Sequence, residues 1–202
     1  MSDIEPERDP LSLLWWRKYL AIPLFFYTGL RLGECLGLMF SDCCRDDHTI
    51  YVHQSLLVKE DRLPDGTWAT RKYEVKEHLK GNADPRTIIV SDQGFDIIDK
   101  IRDIHKKNSR ITDLLFPGVS ESNVQLKLKR ACRTLGLKER SPHKWRKTYI
   151  SALINDGADM DFVRKQVGHK DIQTTLNSYT YSTKSKDQQL EQLTRTLSVQ
   201  TG

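Results

Sequence analysis

Thr49-Ile50-Tyr51-Val52, Leu56-Leu57-Val58 and Thr87-Ile88-Ile89-Val90 are three short β-prone runs in a chain that otherwise reads as helix. Pro64-Asp65-Gly66 and Gly81-Asn82 lie between them as turn signals, so residues 48–91 predict a small antiparallel sheet. Toward the N-terminus, apolar residues recur at helical spacing from Leu11 to about Tyr27. Thr28-Gly29 ends that run, and a second helix occupies Arg31 to Met39. Residues 1–10 are acidic and polar, close on Asp9-Pro10, and read as a linker or chain edge. Toward the C-terminus, helical spacing returns over 92–108 through Phe95, Ile97, Ile98, Ile101 and Ile104. Phe116-Pro117-Gly118 closes a loop before a helix at roughly 121–135, and helices dominate from there. The fold expected is α+β, mainly α-helical, with a small antiparallel β-sheet on one edge.

A chain of 202 residues is long enough to bury one sizeable core. With 38% hydrophobic and 29% charged residues it is too apolar for a disordered chain. The net charge of +5 is compatible with a polyanionic partner, and its distribution matters more. Residues 121–202 carry 15 Lys+Arg against 8 Asp+Glu, whereas residues 1–120 carry 17 against 19. Cys35, Cys43, Cys44 and Cys132 form no C-x-x-C pair and no zinc spacing, and are expected to be free thiols in a reducing cytosol. The longest apolar stretch, Leu20 to Tyr27, is too short to span a bilayer of about 30 Å. No secretion signal opens the chain, so a cytoplasmic protein is expected.

Arg31, His143, Arg146, His169 and Tyr179 are scattered in sequence, yet all five suit the gripping and attack of a phosphate. Arginine forks pair with phosphate oxygens and stay charged, while histidine and tyrosine supply proton transfer and a nucleophile. Ser141-Pro142 reads as an N-cap followed by proline in the first helical position, which sets His143 and Arg146 on one face beside free backbone N–H groups. Arg31 stands three residues before Glu34, which can brace its guanidinium. A helix from Ala158-Asp159 ends at Gly168 and leaves His169 in a tight connector before a short helix holding Thr174, Thr175, Leu176 and Tyr179. Each residue alone also has a bland reading. His143 can cap a helix, Arg146 can be a solvated cation, Arg31–Glu34 an exposed pair, His169 a buried hydrogen-bonded ring, and Tyr179 packing.

Together, Thr28-Gly29-x-Arg31-x-x-Glu34, His143-x-x-Arg146, Gly168-His169 and Tyr179 resemble, in that order, the tyrosine recombinases of the phage-integrase family. The stretch Gly168-His169-Lys170-Asp171-Ile172-Gln173-Thr174-Thr175-Leu176-Asn177-Ser178-Tyr179-Thr180 is similar to integrases of phages and conjugative transposons, and the resemblance runs from Leu11 to about Tyr181. It implies the DNA breaking-rejoining catalytic fold over 11–181, and metal- and ATP-independent attack by Tyr179 on a phosphodiester. In that chemistry Arg31 and Arg146 balance charge in the transition state, His143 relays a proton, and His169 hydrogen-bonds the phosphate. A hairpin lysine protonates the leaving oxygen; Lys80, six residues before Arg86-Thr87-Ile88, fits that pattern, with Lys76 as rival. This sequence departs from the family in having Tyr181 for a frequent histidine and Lys147 for another; Lys80 is followed by Gly-Asn rather than Thr. Tyr179 is preferred to Tyr181 for its spacing from His169.

The basic run Lys127–Lys147 holds nine Lys+Arg and one acid, Glu139, and is expected to lie along a DNA backbone through Lys127, Lys129, Arg130, Arg133, Lys144 and Lys147. Family resemblance further implies double-stranded DNA as partner, no membrane, a homo-tetramer on synapsed duplexes, a monomer in free solution, and no cofactor. It also implies an all-helical clamping domain N-terminal to the catalytic one, which this sequence is expected to lack. The tail 182–202, with its Leu190, Leu193 and Leu197 stripe, is the expected segment of subunit exchange. A non-catalytic DNA-binding regulator and a type IB topoisomerase are the alternatives.

Overall fold

The structure is a computed structural model that describes residues 10–59, 62–67, 72–77, 79, 83–171, 187, 190, 191 and 194, with side chains from residue 19 onward. Helix α1 (Pro10–Thr28) runs through the centre, burying Ala21, Leu24 and Phe25. Thr28 turns its hydroxyl back to the Leu24 carbonyl at 2.8 Å, and Gly29 takes a left-handed φ of 61° to stop the helix. Helix α2 (Leu32–Gly37) follows, buried along its whole length. A 3-10 turn (Phe40–Asp42) then leads into the strands.

Among the described residues the expected small antiparallel sheet is present, and a separate two-stranded ribbon stands beside it. β1 (Cys43–Cys44), β2 (Thr49–Val52) and β5 (Arg86–Ile89) make an antiparallel sheet in the order β1-β2-β5, with Ile50 opposite Ile88. β3 (Ser55–Lys59) and β4 (Lys72–Lys76) make a separate antiparallel ribbon with Leu57 opposite Glu74. The split occurs at buried Gln54, whose side-chain amide donates to the Gly37 carbonyl at 2.8 Å and turns the chain toward α2. β3 therefore begins buried under α2 and runs outward, while β4 stays largely exposed.

Helices α3 (Asp92–Lys107) and α4 (Glu121–Thr134) pack on α1 and share its core, the first through Phe95, Ile98 and Ile101, the second through Val124. Fully burying side chains of this size contributes roughly 1.5–3 kcal/mol each. Helices α5 (Pro142–Asn155) and α6 (Met160–Val167) enclose a second, smaller core of Ile150, Val163 and Val167. The Gln166 side chain fastens the α6 helix to the sheet. Gln166, 3% exposed, accepts from the Ile89 N–H at 3.0 Å and donates to the Ile89 carbonyl at 2.6 Å. Its amide also donates to the Tyr149 hydroxyl at 3.2 Å. Cys35, Cys43, Cys44 and Cys132 are free thiols. Among the described residues no helix is long and apolar enough to cross a membrane.

Candidate active site

Three helix ends converge on one open pocket of about 880 Å³. Arg31 stands at the start of α2, His143 and Arg146 in the first turns of α5, and His169 just past the end of α6. All four line the pocket, together with Glu34 and Ser141, and the facing wall is Leu56 to Val58 of β3 with Glu121 and Gln125 of α4. Residues as far apart in sequence as Arg31 and His169 thus share one cavity, as their chemistry predicts. Lys80, Tyr179 and Tyr181 lie outside the described residues, as do Leu193 and Leu197. Lys76 is described: it closes β4, is exposed, and pairs with Glu74 at 3.1 Å, away from the pocket lining.

Local structure fixes each group. Arg31 occupies the N-cap position of α2, its backbone N–H donating to Glu34 Oε2 and its Nη1 to Glu34 Oε1, both at 2.9 Å. The expected brace is present, but Glu34 is 1% exposed rather than solvated. A second guanidinium shares it: Arg86 Nη2 donates to Glu34 Oε2 at 2.8 Å and Nη1 to Oε1 at 3.4 Å. Arg146, 4% exposed, is no solvated cation; Nη1 donates to the Gly29 carbonyl at 2.8 Å and Nη2 to that of Val167. Gly29 is required here twice over, by its positive φ and because a Cβ would fall 2.2 Å from the Tyr149 ring. At α5, Pro142 takes the first helical position, but the hydroxyl of Ser141, its N-cap residue, makes no capping bond.

One carboxylate, Glu34, therefore sits among three guanidiniums, and a second, Glu121, stands on the facing wall. Burial pushes the Glu34 carboxyl up, yet Arg86, the Arg31 N–H and Arg146 together outweigh it and hold it below the ordinary range. Burial, with Arg31 and Arg86 nearby, lowers Arg146 to about 9, which leaves it charged at neutral pH. Burial and then the surrounding arginines press His169 down to about 4. His143 is lowered too, by burial and then by Lys147, Arg146 and Arg31. Two neutral imidazoles beside two cationic forks offer donors suited to an oxyanion while leaving ring nitrogens without a proton.

Arg86, Gln166 and Tyr149 were not singled out by sequence as parts of this site. A signal existed for Arg86: it alternates with Ile88 and Val90 on the inward side of the β5 segment, where an arginine needs a buried partner. Of the basic run, Lys129, Arg130 and Lys144 are exposed, and Lys147 is half-buried beside His143. Lys127 lies over the Tyr19 ring at 5.1 Å, and Arg133 pairs with Glu139 at 2.5 Å.

The phage integrase family model matches residues 9–186. The integrase of Staphylococcus phage L54a is 24% identical over 184 residues, covering 85% of this chain and 50% of the relative. The tyrosine recombinase XerC of Oceanobacillus iheyensis is 27% identical over 183 residues, covering 87% and 52%. The Tn1549 transposon integrase, solved in complex with transposon right end DNA, superposes with a TM-score of 0.66 at 21% identity, covering 96% of this chain and 67% of that one. The fold is accordingly that of a tyrosine recombinase catalytic domain, and the chain spans about half the length of the sequence relatives.

Proposed function

The chain belongs to the phage integrase family, and from that membership we propose that it is the catalytic part of a site-specific DNA recombinase, integrating or excising a mobile element through a 3′-phosphotyrosyl intermediate. The observation that carries this reading is the meeting of Arg31, His143, Arg146 and His169 around one pocket. A solved relative of the same fold holding transposon DNA supports double-stranded DNA as the ligand.

In this reaction the Tyr179 oxygen attacks the scissile phosphorus and the bond to the 5′-oxygen breaks. A tyrosine of pKa about 10 is roughly one part in a thousand ionised at pH 7, so its proton must be taken in the transition state. His143, held neutral, is the group to take it. Arg31 and Arg146 balance the charge that builds on the non-bridging oxygens, and removing such a donor costs about 100-fold or more in rate. His169 donates a hydrogen bond to the same oxygens, and Lys80 protonates the departing 5′-oxygen. The phosphotyrosyl ester stores the bond energy until a 5′-hydroxyl on another strand attacks it and restores Tyr179. Exposed Lys129, Arg130 and Lys144, with Lys147 and the partly engaged Lys127 and Arg133, contact the DNA backbone. Assembly is a tetramer on two synapsed duplexes formed from free monomers, with residues 182–202 exchanged between subunits.

The test is covalent trapping on nicked suicide DNA bearing the recombination site, with Tyr179→Phe and Tyr181→Phe in parallel. A denaturation-resistant adduct lost only in Tyr179→Phe is expected. No adduct, even with the full-length protein, would leave a non-catalytic DNA-binding role.

A further inference from the structure

Glu34 carries two guanidiniums, and only one of them faces the pocket. Arg31 lines it; Arg86 approaches from the opposite side, from a strand 52 residues away, with its side chain 10% exposed. Between them the two arginines send four N–H donors to the carboxylate, at 2.9, 2.9, 2.8 and 3.4 Å. Arg86 also reaches the element that carries His169. Its Nε donates to the Gln166 carbonyl at 3.4 Å, and Gly168 lies so close that a Cβ there would fall 2.5 Å from the Arg86 Cζ. The guanidinium thus touches α2 on one side and the end of α6 on the other. Two bonds on a carboxylate, one to a carbonyl and a flat face against a glycine suit a planar fork and not an ammonium.

We propose that Arg86 is a positioning residue for phosphodiester cleavage, setting Arg31 through the shared Glu34 carboxylate and the His169 connector through Gln166 and Gly168. The proposal rests on the recombinase reading of the pocket. The charged and titratable groups acting on Glu34 are Arg31 of its own turn, Arg86 of β5, Arg146 of α5 and the adjacent Cys35 thiol, which burial keeps protonated. Without Arg86, a buried carboxylate is left with too little positive charge. It then takes up a proton, or draws Arg31 onto itself and away from the phosphate. Either response misplaces the oxyanion-binding fork while leaving the rest of the pocket standing.

Two measurements test this. Carboxyl-carbon NMR of Glu34 reads the brace without DNA: Arg86→Gln is expected to raise the Glu34 pKa, and an unmoved titration overturns the proposal. Single-turnover cleavage of nicked suicide DNA, followed from about pH 5 to 9, reads its effect on the reaction. Arg86→Gln is expected to cleave about 100-fold more slowly at unchanged DNA affinity, with the acid limb of its profile moved to higher pH. Arg86→Lys, which keeps the charge but loses the fork, is expected to restore the acid limb and about a tenth of the rate. Should Arg86→Gln fail to fold, Arg86→Lys alone decides, since a wild-type rate in it overturns the proposal. Wild-type cleavage with an unaffected Arg86→Gln variant rejects the positioning role; absence of any wild-type adduct rejects the recombinase reading instead.

Discussion

His169 is poised by its neighbours rather than by its own chemistry. Burial and the facing Arg146, Arg31, Arg86 and His143 lower its pKa to about 4, whereas the unfolded chain protonates the same ring near its ordinary value of 6.5. Between these values the unfolded state binds more protons than the folded one, so this group erodes stability as pH falls from about 6.5 toward 4 and adds no further loss below that. Urea unfolding across this window should therefore show a shallower pH dependence for His169→Asn than for the wild type, with the two curves parallel above neutrality. Equal slopes would mean that the ring is not held neutral. The individual groups were legible because their chemistry is unusual in combination. Arg31 and Glu34 were legible as a pair because three residues of helix separate them. The bond from Arg86 to the same carboxylate spans 52 residues, and the Gln166 clamp on Ile89 spans 77. No local periodicity records contacts of that length; only the fold brings them together.

Helix ends show the same division at the next scale up. Ser141 reads as an N-cap and Ala158-Asp159 as a helix start, but of the two it is Asp159 that caps, accepting from the N–H groups of Asp161 and Phe162 at 2.9 Å each. Asp159→Ala should cost about 1 kcal/mol of stability, within a range of roughly 0.5–2, and Ser141→Ala should stay within about 0.5 kcal/mol of wild type by urea titration. A comparable loss in both would show that the Ser141 hydroxyl caps α5 in solution. Apolar periodicity marked α1 and α3, while start and stop signals such as Ser141-Pro142 and Gly168 marked α5 and α6. β-prone runs marked β2, β3 and β5. β4 escaped because Lys72-Tyr73-Glu74-Val75-Lys76 has no buried face to advertise, although it pairs with the whole of β3 from Ser55 opposite Lys76 to Lys59 opposite Lys72. That ribbon is also why, among the described residues, two sheets stand where one was expected. The short helix expected around Tyr179 lies outside the described residues.

Taken whole, the molecule has a large core around α1 and a small one between α5 and α6, and the pocket is lined by Phe25, Leu32 and Leu56 of the first together with the start of α5. One chain of this length was expected to bury a sizeable core; that α5 and α6 would keep a separate cluster was not visible, since their apolar residues resemble those of any amphipathic helix. Small cores open first, and opening here has a particular cost. β5 is an outer strand, and among the described residues its outward side at Ile89 is closed by the Gln166 side chain of α6. When α6 lifts, a strand edge flanked by exposed Ile89 and Tyr51 loses its guard and becomes a template for other chains. Gln166→Leu should thus raise light scattering on mild warming well before the main thermal transition, and hydrogen exchange should speed first in β5; scattering that begins only with global unfolding would rule this out. The same glutamine that seats a helix beside the pocket is thus expected also to shield a strand edge from other copies of the chain.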